Sequence, residues 1–250
     1  MQRFQDWQAQ RASIRSLALP DAAEGGKRLL AGLFLKLVLA DSIHGATIAA
    51  MSAGTLATVP GWQLAEAAAL YSFYLYWDFA GYSQMAIGLG KFWGITLPEN
   101  FRWPFLARNL AEFWKRWHIT LSEFLRDYLF YPLSLALKRR AFFKKNLLLA
   151  AALPPLVTFL LAGIWHGAGV GFLLFGLLHG VGLGWLAVLQ RITAKKKSAR
   201  MWGESAVGHA IGALVTFAYV TLTFVLFALP AEKLLVLWER FSPFAAAIPD

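Results

Sequence analysis

"NLLLAAALPPLVTFLLAGIWHGAGVGFLLFGLLHGVGLGWLAVLQ", residues 146–190, runs for 45 residues without an aspartate, glutamate, lysine or arginine. One helix needs about 20 mostly apolar residues to cross the hydrocarbon of a bilayer. The stretch therefore has room for two crossings, with the glycines of "GAGVG" allowing a tight turn between them. Two imidazoles, His166 and His179, stand inside this apolar run. A second uncharged stretch, residues 205–231, supplies one more crossing.

The composition supports the same class. Hydrophobic residues make up 58% of the 250-residue chain and charged residues 15%. A soluble domain carries about 45–50% and about 25% of these. One water-facing globule cannot hide that much apolar surface, so an all-α, polytopic membrane helical bundle is expected. Eleven tryptophans and twenty phenylalanines suit a lipid-facing protein with interfacial anchors. The formal net charge is +10, but the cations cluster beside apolar spans, as in "LKRRAFFKK" (137–145) and "RITAKKKSAR" (191–200). That placement reads as cytoplasmic loops, with no nucleic acid partner. Two crossings separate the clusters, so both fall on one side, which the positive-inside rule makes cytoplasmic. The chain has no cysteine, which excludes disulfides, thiolate metal sites and a cysteine nucleophile. No apolar h-region directly follows the first fifteen residues, so they do not read as a signal peptide.

Residues 1–28 are expected to form a polar, basic cytoplasmic segment. Residues 29–59 cross once with an irregular second half, and 62–79 cross back. A short helix, 84–93, and an irregular loop, "GITLPENFRWPF" (94–105), follow. In residues 106–129, Leu110, Phe113, Trp114, Trp117, Leu121 and Leu125 recur at spacings of three and four, with charges opposite. This predicts one amphipathic helix, too charged to span, lying at the interface or against the bundle. The last pass is 206–229, leaving "PAEKLLVLWERFSPF" at the outer face. No linker or repeat divides the chain, so residues 1–250 read as one membrane-embedded domain.

Proline is tolerated in the first turn of a helix and disruptive inside it. A helix starting at Pro154–Pro155 would place His166 roughly 17 Å along, about half a bilayer deep. Irregular backbone at that depth needs protein or a water cavity around it, and an intramembrane histidine there is a functional candidate. It equally fits a core imidazole bonded to a neighbouring helix. His179 points elsewhere on its helix and reads as structural, as do His44 and His209. A histidine can take a proton from a hydroxyl as that oxygen attacks an electrophile. No G-x-S-x-G elbow, phosphate-binding glycine loop or H-E-x-x-H zinc motif is present. A base acting on the acceptor's own hydroxyl fits better than a covalent enzyme.

"LYWDFAGYSQMAIGLGKFWGITLPENFRWPF" (75–105), "EFWKRWHITLSEFLRDYLFYPL" (112–133) and "GIWHGAGVGFLLFGLLHG" (163–180) resemble, in this order, the membrane-bound O-acyltransferase family. The closest likeness is to the bacterial alginate O-acetyltransferase and teichoic acid D-alanyl transfer branch. "GLFLKLVLADSI" (32–43) fits that branch too. The resemblance implies acyl transfer to a hydroxyl in a tunnel through the bundle of a bacterial inner-membrane, multi-pass protein. His166 then matches the family's general-base histidine near the tunnel's waist, and His118 its second histidine, toward the cytoplasmic mouth.

By the same likeness Asp78, Tyr82, Asp127 and Tyr128 are candidates for the tunnel wall and substrate contact, or for polar glue between helices. Asn100 and Arg102 line the donor mouth or cap their loop, the latter favoured. Lys115 and Arg116 attract an anionic donor or meet lipid phosphates. No bound cofactor or metal is implied; an acyl-CoA or carrier-protein thioester is the co-substrate. The acceptor, an exported polysaccharide or cell-wall polymer, is reached through an extracytoplasmic partner protein. The family's chains are longer, so this one is expected to be an N-terminally shortened relative or the C-terminal portion of the fold. The stretches after "YPL" and near residue 229 depart from the branch. Two other readings stand beside this one. One is a haem electron carrier ligated by His44, His166, His179 or His209. The other is an inactive scaffold or transporter-like fragment.

Overall fold

A computed structural model describes residues 8–10, 19–194 and 205–242. The basic residues Arg3, Arg11 and Arg15, and Lys195, Lys196, Lys197 and Arg200 of the second cluster, lie outside the described residues. Among the described residues there are helices and no strands. Helix α1 (Leu19–Leu33) continues through a π-helical stretch (Phe34–Ala40) and a last turn (Asp41–His44). Next come α2 (Ala53–Thr58), α3 (Gly61–Phe92), α4 (Leu110–Trp114) and α5 (Ile119–Leu125). A π-helical stretch (Arg126–Phe130) leads from α5 into α6 (Tyr131–Arg139), and α7 (Ala141–Lys145) follows. The chain ends in α8 (Leu147–His166), α9 (Val170–Thr193), α10 (Ala206–Ala228) and α11 (Ala231–Phe241).

Among the described residues three helices, α8, α9 and α10, are long and apolar enough to cross a membrane. Only 33%, 28% and 28% of their most apolar windows are buried inside the protein. Helices that are apolar all round and mostly uncovered have lipid as their natural surroundings. Helices α1 and α3, expected as further crossings, are not among the three. α1 carries Asp21, Glu24, Lys27 and Arg28, and α3 carries Glu66, Asp78 and Lys91.

Helices α8 and α9 form an antiparallel hairpin around the turn at residues 167–169, the most extensive contact in the molecule. Its seam is made of small residues. A Cβ on Gly176 would stand 2.4 Å from the carbonyl oxygen of Phe159 and 3.1 Å from the Cα of Gly163. Side-chain-free surfaces of this kind let apolar helices come close enough for dispersion contacts to hold them together. α1 packs along α3 in the same way, with Gly32 against the backbone at Gly81. Charges lace that second pair, Lys91 with Asp21 at 3.5 Å and Lys36 with Asp78, and Arg28 ties α1 to the loop after α3 through Glu99 at 2.7 Å.

An aromatic core lies where α3, α4, α9 and α10 meet. It includes the buried Phe113, Trp117, Phe175 and Phe224. The amphipathic α11 lies against α2, where Lys233 and Arg240 donate to backbone carbonyls of Met51 and Leu56, each at 2.6 Å. This gives the expected outer-face segment a definite seat.

Three expectations are corrected. Residues 61–92 form one helix of 32 residues, where a crossing over 62–79 and a separate short helix over 84–93 were expected. No proline interrupts it, and the glycine of "DFAGYS" serves the contact with α1. The expected single helix over 106–129 is broken at residues 115–118, and at Arg126 it widens to π-helical bonding. Its apolar face is nonetheless the buried one: Leu110, Phe113, Trp117, Leu121 and Leu125 are all in the core. Finally, α8 starts at Leu147 and carries Pro154 and Pro155 inside. His166 is therefore the last residue of a 20-residue helix, about 30 Å long, and the half-bilayer depth counted from the prolines does not hold. The carbonyl of Pro154, whose usual i+4 donor remains, also accepts the Thr158 hydroxyl at 2.8 Å.

Candidate active site

His118 stands at the break between α4 and α5 with φ 43° and ψ 54°, a left-handed conformation. Outside glycine that region costs energy and persists only where surroundings enforce it. The enforcing segment is the loop before α4. The Asn100 carbonyl accepts the Ile119 N–H at 2.9 Å, and the Arg102 N–H reaches the Arg116 carbonyl at 2.9 Å. The Asn100 side chain does more. Its Oδ1 lies 3.0 Å from His118 Nδ1 and accepts from the Thr120 N–H at 3.3 Å and the Thr120 hydroxyl at 3.1 Å. Its Nδ2 donates to Ser83 Oγ on α3 at 3.3 Å. The backbone N–H of Thr120 fixes which end of the amide is oxygen. Asn100 thus caps the first turn of α5 from a distant loop and holds the imidazole at once.

Because Oδ1 only accepts, His118 Nδ1 carries the proton and Nε2 keeps its lone pair when the ring is neutral. His118 lies outside the spanning helices. Burial, above all, pushes its imidazole down to about 4. The ring is neutral at pH 7. Phe79 meets it edge-on at 4.7 Å.

His166, at the end of α8, shows the same arrangement. Its Nδ1 is 2.7 Å from the Ala162 carbonyl, so Nδ1–H donates and Nε2 is left with a lone pair. Trp165, Phe172 and Phe227 surround the half-buried ring at centroid distances of 4.9, 6.2 and 5.2 Å. A cavity of about 190 Å³ beside the pair is lined by Leu121, Leu125, Ala162 and Trp165, and by neither imidazole. It is not the expected tunnel with His166 in its wall.

The other predicted residues are spread around these two. Asp78 is paired with Lys36 on the α1 extension. Tyr82 is exposed on the next turn of α3. Arg116 is bound to Glu112 at 2.6 Å, and Lys115 borders a separate cavity. Burial raises the Glu112 carboxyl, but bonds from Arg108 and Arg116 outweigh this and hold it at about 2. Asp127 accepts from Arg126 at 2.8 Å, and Tyr128 lies on Phe124 at 4.7 Å. Among the described residues no three metal-ligating side chains converge.

Sequence reasoning placed Asn100 in the loop and missed its hold on His118. It also missed a buried chain of bonds. Trp114 Nε1–H donates to His179 Nδ1 at 3.1 Å, His179 Nε2–H donates to Thr223 Oγ1 at 2.9 Å, and Thr223 donates to the Val220 carbonyl at 2.9 Å. His179 is fully buried with both nitrogens occupied, so it is not available as a haem ligand.

The sequence profile of the MBOAT, membrane-bound O-acyltransferase family, matches residues 30–229, a region that holds every residue just described. The chain belongs to this family. This O-acyltransferase-family chain is 41% identical over 170 residues to the peptidoglycan O-acetyltransferase of Helicobacter pylori, covering 68% of the chain and 29% of that protein. It is 38% identical over 168 residues to a probable alginate O-acetylase of Pseudomonas fluorescens, covering 67% and 32%. To the teichoic acid D-alanyltransferase of Streptococcus thermophilus it is 32% identical over 211 residues, covering 81% and 50%. It therefore spans between 29% and 50% of the length of these relatives.

Proposed function

We propose that this chain carries the acyl-transfer centre of a membrane-bound O-acyltransferase. It moves an acyl group, acetyl in the first instance, from an acyl-CoA or carrier-protein thioester to a hydroxyl of an exported polysaccharide or cell-wall polymer. In this reading the protein is a multi-pass protein of a bacterial inner membrane, and an extracytoplasmic partner presents the acceptor.

One observation carries the reading. His118 and His166 stand on elements that pack together through Leu121, Leu125 and Ala162, and each has its Nδ1–H tied to a carbonyl oxygen and its Nε2 lone pair unclaimed by a hydrogen bond among the described residues. A neutral imidazole held in that tautomer is a base ready to accept a proton. His166 Nε2 takes the proton of the acceptor hydroxyl as its oxygen attacks the thioester carbonyl. The C–S bond then breaks, and the proton passes to the departing thiolate. His118 supports the same centre from the loop side. The names of the relatives, an O-acetyltransferase, an O-acetylase and a D-alanyltransferase, all fit acyl transfer to a hydroxyl.

The test is thiol release from an acetyl thioester by the purified chain in detergent, with a polysaccharide acceptor supplied. His166→Ala is expected to slow it by about 10²–10⁴-fold, the range of general acid–base catalysis. Equal rates for wild type and variant would remove the mechanism.

A further inference from the structure

We propose that the junction of α6, α7, α8 and α9 binds an anionic glycerophospholipid, independently of the acyl-transfer reading. A cavity of about 420 Å³ opens there. Lys138 on α6, Lys144 on α7 and Arg191 on α9 line it, with no acidic side chain in the lining. None of the three cations has an ion pair or side-chain hydrogen bond among the described residues, whereas Arg28, Lys36, Lys91, Arg108, Arg116 and Arg126 all do. Three like charges around one hollow repel each other, and an anion among them removes that repulsion.

The floor of the cavity is apolar, with Leu147, Ala150 and Pro154 of α8. Phe130 and Ala187 also form part of the wall of a second cavity, of about 300 Å³. That second space is bounded mainly by apolar side chains, among them Trp114, Phe159, Leu183 and Leu186. Lys115, Glu123 and Arg126 stand in its lining too, and Glu123 is answered by Arg126 at 4.0 Å. Cations at one end and an apolar slot at the other match a molecule with a phosphate head and an aliphatic tail.

Position supports the same occupant. The cations sit where α8 begins and α9 ends, the same end of an antiparallel hairpin of crossing length. That is the depth of lipid head groups. Basic pockets between membrane helices are suited to anionic head groups. A nucleotide-bearing thioester also offers phosphates, but it leaves the aliphatic slot without a reason.

The experiment is native mass spectrometry of the purified full chain, released from micelles holding equal amounts of phosphatidylglycerol and phosphatidylcholine. Wild type is expected to retain phosphatidylglycerol preferentially. Replacing Lys138, Lys144 and Arg191 together by glutamine should cut that preference by about 100-fold, at about fivefold per cation. If the triple variant does not fold, the three single substitutions read the same loss in fivefold steps. Ala187→Phe, which puts a ring at the wall shared by the two cavities and leaves the charges, should also weaken retention. Equal retention of the two lipids by wild type overturns the proposal, as does a variant set indistinguishable from wild type. Displacement of phosphatidylglycerol by an equal concentration of coenzyme A also overturns it, since the cations would then serve a nucleotide's phosphates.

Discussion

His118 Nδ1 stands 3.0 Å from Oδ1 of Asn100, and that oxygen also accepts both the backbone N–H and the hydroxyl of Thr120. One amide therefore fixes a tautomer, a helix start and a left-handed residue together. Asn100→Ala leaves these donors without their partner, at a cost of about 1–3 kcal/mol. It also frees the imidazole to move. We expect thiol release to fall by up to about 100-fold, the penalty of a 1 Å misplacement, with more of the loss in kcat than in KM. Asn100→Asp keeps the acceptor and restores most of the stability, but its charge favours the imidazolium and moves the acid limb of the pH profile upward. If Ala and Asp both match wild type in rate and pH profile, Asn100 has no positioning role.

The pH dependence of stability follows from the same residue. Burial, above all, lowers the His118 imidazole from 6.5 to about 4. Between these values the unfolded chain holds a proton that the folded chain does not, so stability rises with pH. The contribution is fully present above pH 6.5 and is lost as pH falls toward 4, amounting to at most about 3 kcal/mol. Thermal melts in detergent should show wild type weakening through this window. His118→Asn, which tolerates the left-handed backbone and does not titrate, should flatten the curve there. An unchanged slope in the variant would assign the acid sensitivity to other groups.

The spans were readable because their signal is local. A charge-free run of 45 residues with glycines in its middle has few alternatives; α8 and α10 lie within the predicted passes, and α9 runs on to Thr193, three residues past its own. The break at His118 was not readable, because Phe113, Trp117, Leu121 and Leu125 keep a helical spacing straight across it. The left-handed turn changes direction without changing which residues are buried, and its cause is an asparagine in a separate loop. The proline pair misled for a related reason: α8 absorbs it seven residues in, where the Thr158 hydroxyl bonds back to the Pro154 carbonyl. That His179 is a structural core residue could be read from its sequence context. Its donor, 65 residues away on α4, could not.

That donor leads to a prediction about the core. His179 accepts from Trp114 and donates to Thr223, and all of its surface is buried. His179→Phe preserves the ring volume but leaves an indole N–H without an acceptor, at a cost of about 1–3 kcal/mol. His179→Phe combined with Trp114→Phe removes both ends of that bond and should be less destabilising than the sum of the single variants. A double-mutant cycle on melting in detergent measures the difference. Strict additivity would mean that the two side chains do not interact.

The last prediction concerns the hairpin that carries His166. A methyl on Gly176 would fall 2.4 Å from the Phe159 carbonyl oxygen and 3.1 Å from the Gly163 Cα. Both neighbours are backbone, so no side chain can rotate away, and α8 must move off α9. Overpacking of this kind costs about 1–3 kcal/mol. Because His166 is the third residue after Gly163 on the displaced helix, Gly176→Ala should lower acyl transfer as well as stability. Gly26 in α1 supplies the contrast, since a methyl there meets nothing within 4 Å. Gly26→Ala should leave activity alone and stabilise its helix by about 0.5–1 kcal/mol. Opposite signs for two chemically identical substitutions, read as melting temperatures in detergent, separate close helix approach from general glycine effects; the same sign at both positions would refute a glycine-dependent seam.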